Sequence, residues 1–335
     1  MQRLRRTALW LVVWGMHVAV AQPLVGGVST QATQLSLTST SVALRSAYSL
    51  QSTALQDNLF ADADLYGTQE MSVAVSGRDD SLSGVPSAQS SHLGLLVSWR
   101  LSPVWRMGAY MDQTLASVGT GQVSSASGQA ALGGYAVWAP QDGMQVRFSA
   151  GRSAQNLVVR RSGDGGAEAG VGETVLTSIG YQVVASYDAN FARHSVLRSY
   201  LGVRYLRVGD TDYAETHAVS TPLNFDALVQ ESTTVLAGLQ AKVPWSAHTR
   251  LVATAGLEQD VGGSNGQYSG TNPALSGLQP VTFNTLYNAT RSTLGMAIEH
   301  QWEGLHRLHF GVTLSEQAFA SQAILRTTLS YVRGF

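Results

Sequence analysis

The sequence predicts an all-β fold: a transmembrane antiparallel β-barrel of about 12 strands, preceded by a polar N-terminal segment. Three observations lead there. Apolar residues recur at every second position in segments of about ten residues, the strand period and the length that crosses an outer membrane at a tilt. The connections between these segments alternate short and long. The tryptophans outside the first twenty residues gather at the short connections.

The chain begins as a leader. "MQRLRR" is a basic start, "TALWLVVWGMHVAV" an apolar core, and Ala19-Val20-Ala21 a small-x-small cleavage pattern, so residues 1–21 are expected to be a signal peptide removed during Sec-dependent export. The apolar core is shorter than the ~20 residues of a helical span, and Gln22-Pro23 interrupts it at once. No other stretch is apolar and long enough for such a span. With Arg3, Arg5 and Arg6 gone, the remainder carries about four net negative charges. That balance, with no basic stripe, excludes a nucleic-acid partner. Cysteine is absent, which removes disulfides, thiol nucleophiles and thiolate metal sites together. Charged residues make up only 13% of the chain, against about 25% in ordinary soluble domains.

Residues 22–66 form a polar linker. From Ser29 to Thr53 nearly half the residues are Ser or Thr, and neither Pro nor Gly occurs between Val28 and Tyr66. One long helix fits this composition, too polar for lipid or a dry core but acceptable in an aqueous channel, and Leu55 and Leu59 sit four apart as helix neighbours. A disordered periplasmic tail fits it equally well, and the loose alternation of "LSLTSTSVAL" leaves room for an extra strand.

Residues 67–335 carry the barrel. "VWRMGAYMDQ" places Trp105, Met107, Ala109 and Met111 on one face, with Arg106, Gly108, Tyr110 and Asp112 on the other. "HRLHFGVTLSE" separates Leu308, Phe310, Val312 and Leu314 from His309, Gly311, Thr313 and Ser315. Segments of this kind start near Gln69, Ser91, Val104, Ser127, Met144, Glu173, Leu197, Glu231, Thr249, Ala289, Leu305 and Gln322. Short turns are expected at 101–103, 139–143, 189–196, 244–248 and 303–304, and long Gly/Ser/Asp-rich loops at 79–90, 117–126, 152–172, 210–230 and 261–288. Short turns on one rim and long loops on the other mark a membrane barrel; a soluble sandwich has no reason to alternate them.

Trp99, Trp105, Trp138, Trp245 and Trp302 all lie in or beside the short turns, where an amphipathic ring settles at headgroup depth in outer-membrane lipid. Arg106, Asp112, Arg147, Arg204, Lys242, Glu258, Glu299 and Arg326 fall on the polar faces. A midplane Arg in hydrocarbon costs about 2–4 kcal/mol, so these charges are expected to face a wet or protein-filled lumen. Gly94, Gly108, Gly151, Gly180, Gly202, Gly238, Gly256, Gly295 and Gly311 share that face, and close approach of another backbone is one reason to keep glycine in a strand.

Together these features resemble the translocator β-domain of autotransporters, the type V secretion proteins of Gram-negative outer membranes. "LLVSWRLSPVWRMGAYM" resembles the family's second strand, tight turn and third strand. "RSYLGVRYLRVGDTDYAE" is similar to its aromatic-Gly-Arg-Tyr segment, and "LVATAGLEQDVGG" to its Ala-Gly-Leu-Glu strand. The resemblance implies twelve strands, a helix threaded through the pore, and assembly by periplasmic chaperones and the barrel assembly machinery through a terminal aromatic signal, here Leu329, Tyr331 and Phe335. Members carry a large passenger between leader and barrel; only residues 22 to about 66 stand there here, so the expected role is anchoring or exporting a short N-terminal segment. Asn58 lacks the Asn-Asn context of self-cleaving members. Arg333 stands where the terminal signal usually has an apolar residue.

Other chemistries find little footing. A hydrolase would need Ser, His and an acid converging at one rim; Ser91 with His92, and His309 with Ser315, are the strand pairings available, with no third partner in view. Asp79-Asp80 reads as polar loop. "SGDGGAEAG" follows no strand–helix pattern, and His306, Arg307 and His309 straddle both faces of a strand, so neither a phosphate cradle nor a metal site is expected, nor any cofactor. The remaining alternative is a standalone pore, partly plugged, whose basic lumen would favour anions.

Overall fold

The computed structural model describes residues 27–61, 70–82, 89–118, 121–128, 130–192, 194–216, 220–284, 289–302, 305–316, 318 and 323–335. The leader and the link between helix and barrel lie outside them. Twelve antiparallel strands form the wall: β1 Met71–Leu82, β2 Gln89–Arg100, β3 Trp105–Val118, β4 Ala131–Gln141, β5 Met144–Arg161, β6 Gly170–Ala192, β7 Ser195–Gly209, β8 Val229–Pro244, β9 Thr249–Asn265, β10 Thr290–Gln301, β11 His306–Glu316 and β12 Ala323–Gly334. Each pairs with its neighbours in sequence, and β1 pairs with β12, so the sheet closes with no free edge. Exposed Met107, Ala109 and Met111 alternate with inward Gly108, Tyr110 and Asp112 along β3, because one face meets lipid and the other the lumen.

The expected long loops are shorter and more ordered than their composition indicates. Residues 152–161 and 170–172 continue β5 and β6, with unbroken pairing from Arg152↔Ile179 to Arg161↔Gly170. At 18 and 23 residues, these strands run well past the ~10 that cross a membrane. Val123–Gly128 extends the line of β4 upward against β5. Short strands at Tyr213–Ala214, Asn224–Phe225 and Gly270–Thr271 form one small sheet, and Gln267–Tyr268 with Val281–Thr282 another, so the segments 210–230 and 261–288 fold rather than trail.

Inside the ring stands α1, Thr30–Phe60, a helix of 31 residues, about 46 Å long at 1.5 Å per residue. The helical reading of the linker is therefore the one adopted, over tail or strand. Ser29 caps its start, accepting from the Ala32 amide at 3.3 Å. Thr33, Thr38 and Thr40 each donate to the carbonyl four residues back at 2.9 Å, and Ser52 to Ser49 at 2.9 Å. These hydroxyls are satisfied by the helix's own backbone, which lets a Ser/Thr-rich surface lie in a pore without a matching partner on the wall. Leu37, Leu44, Tyr48, Leu55 and Leu59 are fully buried. Their spacing of seven and four residues draws one straight stripe along the helix, and the stripe packs on β5 and β6. There a β-carbon on Gly151 or Gly180 would meet Leu55 at 3.1 and 3.2 Å, and on Gly180 also Leu59 at 2.8 Å. The close approach is by side chains and not by backbone: the helix leucines at Gly180, and the Tyr110 hydroxyl ahead of Leu55 at Gly151. At Gly108 and Gly238 it is by the rings of Tyr135 and Tyr200 from adjacent strands, and the Tyr200 hydroxyl reaches on to Gly256 two strands away.

Candidate functional site

The lumen and its threaded helix are the candidate site, and the helix polarity organises it. Its N-terminus lies at the long-loop end, where the Ser29 amide donates to Gly166 at 2.8 Å, Ser36 to Ser162 at 2.7 Å and the Gln279 amide to Gln34 at 2.8 Å. Its C-terminus ends lower in the barrel, towards the short-turn end. There the terminal carbonyls are taken up by the wall: Leu59 accepts from Ser149 at 2.9 Å and Gln182 at 3.3 Å, and Ala61 from the Arg147 guanidinium. The cation at this end also complements the negative end of the helix dipole.

At the long-loop mouth the helix is gripped by a dry collar. Leu37, Leu44 and Tyr48 bury against Leu157, Leu206, Val208, Leu223, Phe225 and Phe283. Tyr213, Phe225 and Tyr268 stack in sequence with centroids 4.6 and 5.0 Å apart, and Phe283 meets Tyr48 edge-on at 4.8 Å. The Tyr48 hydroxyl donates to Leu228 at 2.8 Å and accepts from the Asp210 amide at 3.0 Å. Asp210 also accepts from the Leu228 amide at 2.7 Å, yet burial pushes its carboxyl up to about 7, against the lowering by those hydrogen bonds. Arg161 and Glu215 form a buried two-point pair at 2.7 and 2.8 Å that ties the β5 extension to the small sheet. Half-buried Glu168 accepts the Ser220 and Thr221 amides, which, with the Thr221 hydroxyl, lower its carboxyl to about 2.

Deeper in the lumen the contacts become ionic. Asp57 on the helix faces Arg326 of β12 and Arg78 of β1 at 3.6 Å. Arg326 reaches Asp80 at 2.7 Å, and Arg78 bridges Asp80 at 3.3 Å and Asp112 at 2.8 Å. Asn58 donates to Asp112 at 3.0 Å, and His92 lies 3.2 Å from the same carboxylate. Asp80, read from the sequence as loop, lies within β1 and is 1% exposed. Five of these seven groups, Asp57, Arg78, Asp80, His92 and Asn58, are absent from the charged set drawn from sequence. Inward parity does mark Arg78 and Asp80 once β1 is carried past the expected loop start at 79, and His92 falls on the inward row of β2.

The other charges of that set occupy the same inward rows. Arg204 pairs with Glu258 at 2.5 Å, Arg147 lies 4.7 Å from the centre of the Tyr135 ring, and Glu299 lies 3.8 Å from His309. Arg106 and Lys242 point inward near the short turns. Because α1 leans on β5 and β6, the opposite wall leaves a cavity of about 410 Å³ lined by Arg204, Glu258, Glu299, His309 and Arg326 among others. Buried Arg291 with Asp260, at 2.5 and 2.7 Å, flanks it.

Trp99, Trp105, Trp138, Trp245 and Trp302 are between 38% and 74% exposed at the short-turn end, with Trp105 and Trp138 stacked across β3 and β4. Leu329, Tyr331 and Phe335 form one outward row on β12, each more than 40% exposed. The serine–histidine pairings part company. Ser91 points outward and bonds Asp79 at 2.5 Å, whereas the inward neighbour of His92 is Ser90, at 3.0 Å. Asp112, His92 and Ser90 thus follow one another in the hydrogen-bond order of a proteolytic triad, but Ser90 and His92 are buried and neither lines the cavity. Among the described residues no group of three or more metal-ligating side chains converges, and no helix is long and apolar enough to cross a membrane.

Comparison with known proteins matches this architecture. The autotransporter beta-domain family model matches residues 73–314. The translocator domain of the autotransporter NalP from Neisseria meningitidis superimposes with a TM-score of 0.63 at 15% identity, covering 86% of this chain and 99% of that one. The beta domain of the Bordetella autotransporter BrkA gives 0.51 at 12% identity, covering 79% and 99%. No curated protein sequence matches significantly. With a closed twelve-stranded wall, a threaded helix and a family match over most of its length, the chain belongs to the autotransporter β-domain family, the translocator barrels of Gram-negative outer membranes.

Proposed function

We propose that this barrel exports, and then anchors at the cell surface, the segment that precedes Ser29. One observation supports the reading above the rest: the helix enters the lumen from the long-loop mouth, so whatever lies upstream of it stands on that side. A chain threaded in this direction, with its barrel rooted through β1 at the short-turn end, has had its N-terminal part carried through the lumen. The self-satisfied hydroxyls of the helix and the polar cavity beside it suit passage of a polypeptide. In this reading the barrel has no catalytic role. The lumen charges hold the helix, the tryptophans float at headgroup depth, and Leu329, Tyr331 and Phe335 are the handle for the assembly machinery after Sec export and chaperone escort.

An epitope inserted between Pro23 and Gly26 tests it. In intact cells the epitope should be cut by added protease, and a cysteine at Ser276, in an exposed loop of a chain with no native cysteine, should label from outside. An epitope protected in intact cells and cut only after the outer membrane is permeabilised would overturn the reading. The cavity favours a second reading, a weakly conducting pore; a porin-like conductance unchanged by removing residues 30–60 would select it.

A further inference from the structure

Arg333 breaks the apolar row on the outside of β12. Its side chain is exposed, and its guanidinium lies 5.0 Å from the centre of the exposed Phe335 ring. No carboxylate pairs with it among the described residues. Directly across the ladder from Arg333 stands His306 of β11, stacked on Tyr331 at 5.9 Å with its Nδ1 2.5 Å from the Tyr331 hydroxyl. Where that hydroxyl donates to Nδ1, the imidazole carries its proton on Nε2 and keeps a donor of its own on the ladder pair that holds Arg333. Trp302 flanks the pair, its amide donating to the His306 carbonyl at 3.1 Å. Above them, away from the short turns, the same outward face presents an apolar strip: Leu329, Phe310 and Val75 are between 46% and 51% exposed. A basic, donor-rich foot beneath an apolar strip, straddling the seam where β12 meets β1, has the polarity of an anionic amphiphile.

We propose that this surface is a binding site for one glycerophospholipid of the inner leaflet. Its headgroup phosphate sits on Arg333 and His306, and an acyl chain lies along Leu329, Phe310 and Val75. Charge complementarity selects this occupant: a guanidinium held flat by an aromatic ring keeps its N–H edge free for the paired oxygens of a phosphate, and an outward Arg on a lipid-facing strand is tolerated where it reaches the headgroup layer. The proposal rests on the tryptophan rim marking headgroup depth.

Native mass spectrometry of the purified full barrel in detergent tests it, with short-chain phosphatidylglycerol and the matching uncharged diacylglycerol as probes. The expected result is one retained phosphatidylglycerol, no retained diacylglycerol, and no displacement by excess inorganic phosphate. Arg333→Gln should weaken retention at least ~tenfold, with Arg333→Lys intermediate; His306→Gln should weaken it less. Heat-modifiable mobility of each variant reports that the barrel is closed. Equal retention of diacylglycerol, or undiminished retention in a closed Arg333→Gln barrel, overturns the site. Quenching of the tryptophans by lipids brominated at different depths checks the rim separately: quenching only by mid-chain bromines would refute the depth assignment itself, whatever the lipid retention.

Discussion

The two ends of the threaded helix are held by opposite physics. At the long-loop mouth, Leu37, Leu44 and Tyr48 sit in a collar of leucine, valine and aromatic side chains, with the Tyr48 hydroxyl as the fixed polar point. Midway down the lumen, Asp57 and Asn58 join a web of two arginines, two aspartates and a histidine drawn from β1, β2, β3 and β12. A dry collar loses strength in proportion to the volume removed from it. An ionic web responds to the sign of what is removed, because each deletion strands a buried charge. The collar therefore sets where the helix sits, and the web sets which residues can be there.

Removing both grips at once is the largest perturbation. Deleting residues 30–60 should leave a closed barrel whose single-channel conductance in planar bilayers rises at least ~tenfold over the intact chain; an unchanged trace would mean that the helix does not obstruct the lumen. Next comes Arg326→Gln, which leaves Asp57 and Asp80 to Arg78 alone and should loosen the inner end by about 3–5 kcal/mol. Leu44→Ala should cost about 2–5 kcal/mol at the outer end. Spin labels at Leu35 and Phe60, both exposed positions on the helix, distinguish the two. The first substitution should mobilise the label at 60 and spare that at 35, and the second should do the reverse. If both labels loosen together in both variants, the helix moves as one rigid body and the division into two grips is wrong.

The collar also carries a pH dependence. Burial raises the Asp210 carboxyl to about 7, from about 3.9 in an unfolded chain. The folded collar therefore holds a proton that the unfolded chain has released, and its stability from this group is full below pH ~4 and lost as pH rises through 7. Amide exchange around Leu228 should quicken between pH 5 and 8 beyond its intrinsic rate, and Asp210→Asn should abolish the excess. The smallest expected effect is Tyr48→Phe, about 1 kcal/mol, because Leu228 keeps the Asp210 amide as a second donor at 3.0 Å. Thermal melting of the collar by near-ultraviolet dichroism would register it.

The wall was legible from sequence because lipid imposes a period of two on every crossing strand: the expected starts at Met144 and Thr249 coincide with β5 and β9, and Val104 falls one residue before β3. Legibility stops where lipid stops. Above the membrane the β5–β6 hairpin has solvent on its outer face, so Arg152 and Asn156 read as loop although they are strand. The helix stripe was legible only at Leu55 and Leu59, since hydroxyl residues crowd the seven-and-four spacing further up. The ion web was the least accessible part. Asp80 meets Arg326 across 246 positions of sequence, through a closure of the ring that no local pattern encodes.

The threonines that donate to their own helix carry a further consequence. Hydroxyls already bonded within the helix give the wall no register of their own, so polar indexing along the pore axis falls to a few groups: Ser36, donating to Ser162, Gln51, donating to Ser153 at 2.6 Å, and the two grips. We expect such a helix to behave as a piston rod, free to advance until Tyr48 finds the Leu228 carbonyl and Asp57 finds Arg326. The separation of those two stops, nine residues on one rod, then acts as a gauge of how far the chain runs before it halts. Inserting a single alanine between Leu50 and Thr53 rotates one stop against the other by about 100°. Such a chain should satisfy only one grip at a time, which paired spin labels at 35 and 60 would register as a mixture of two settings.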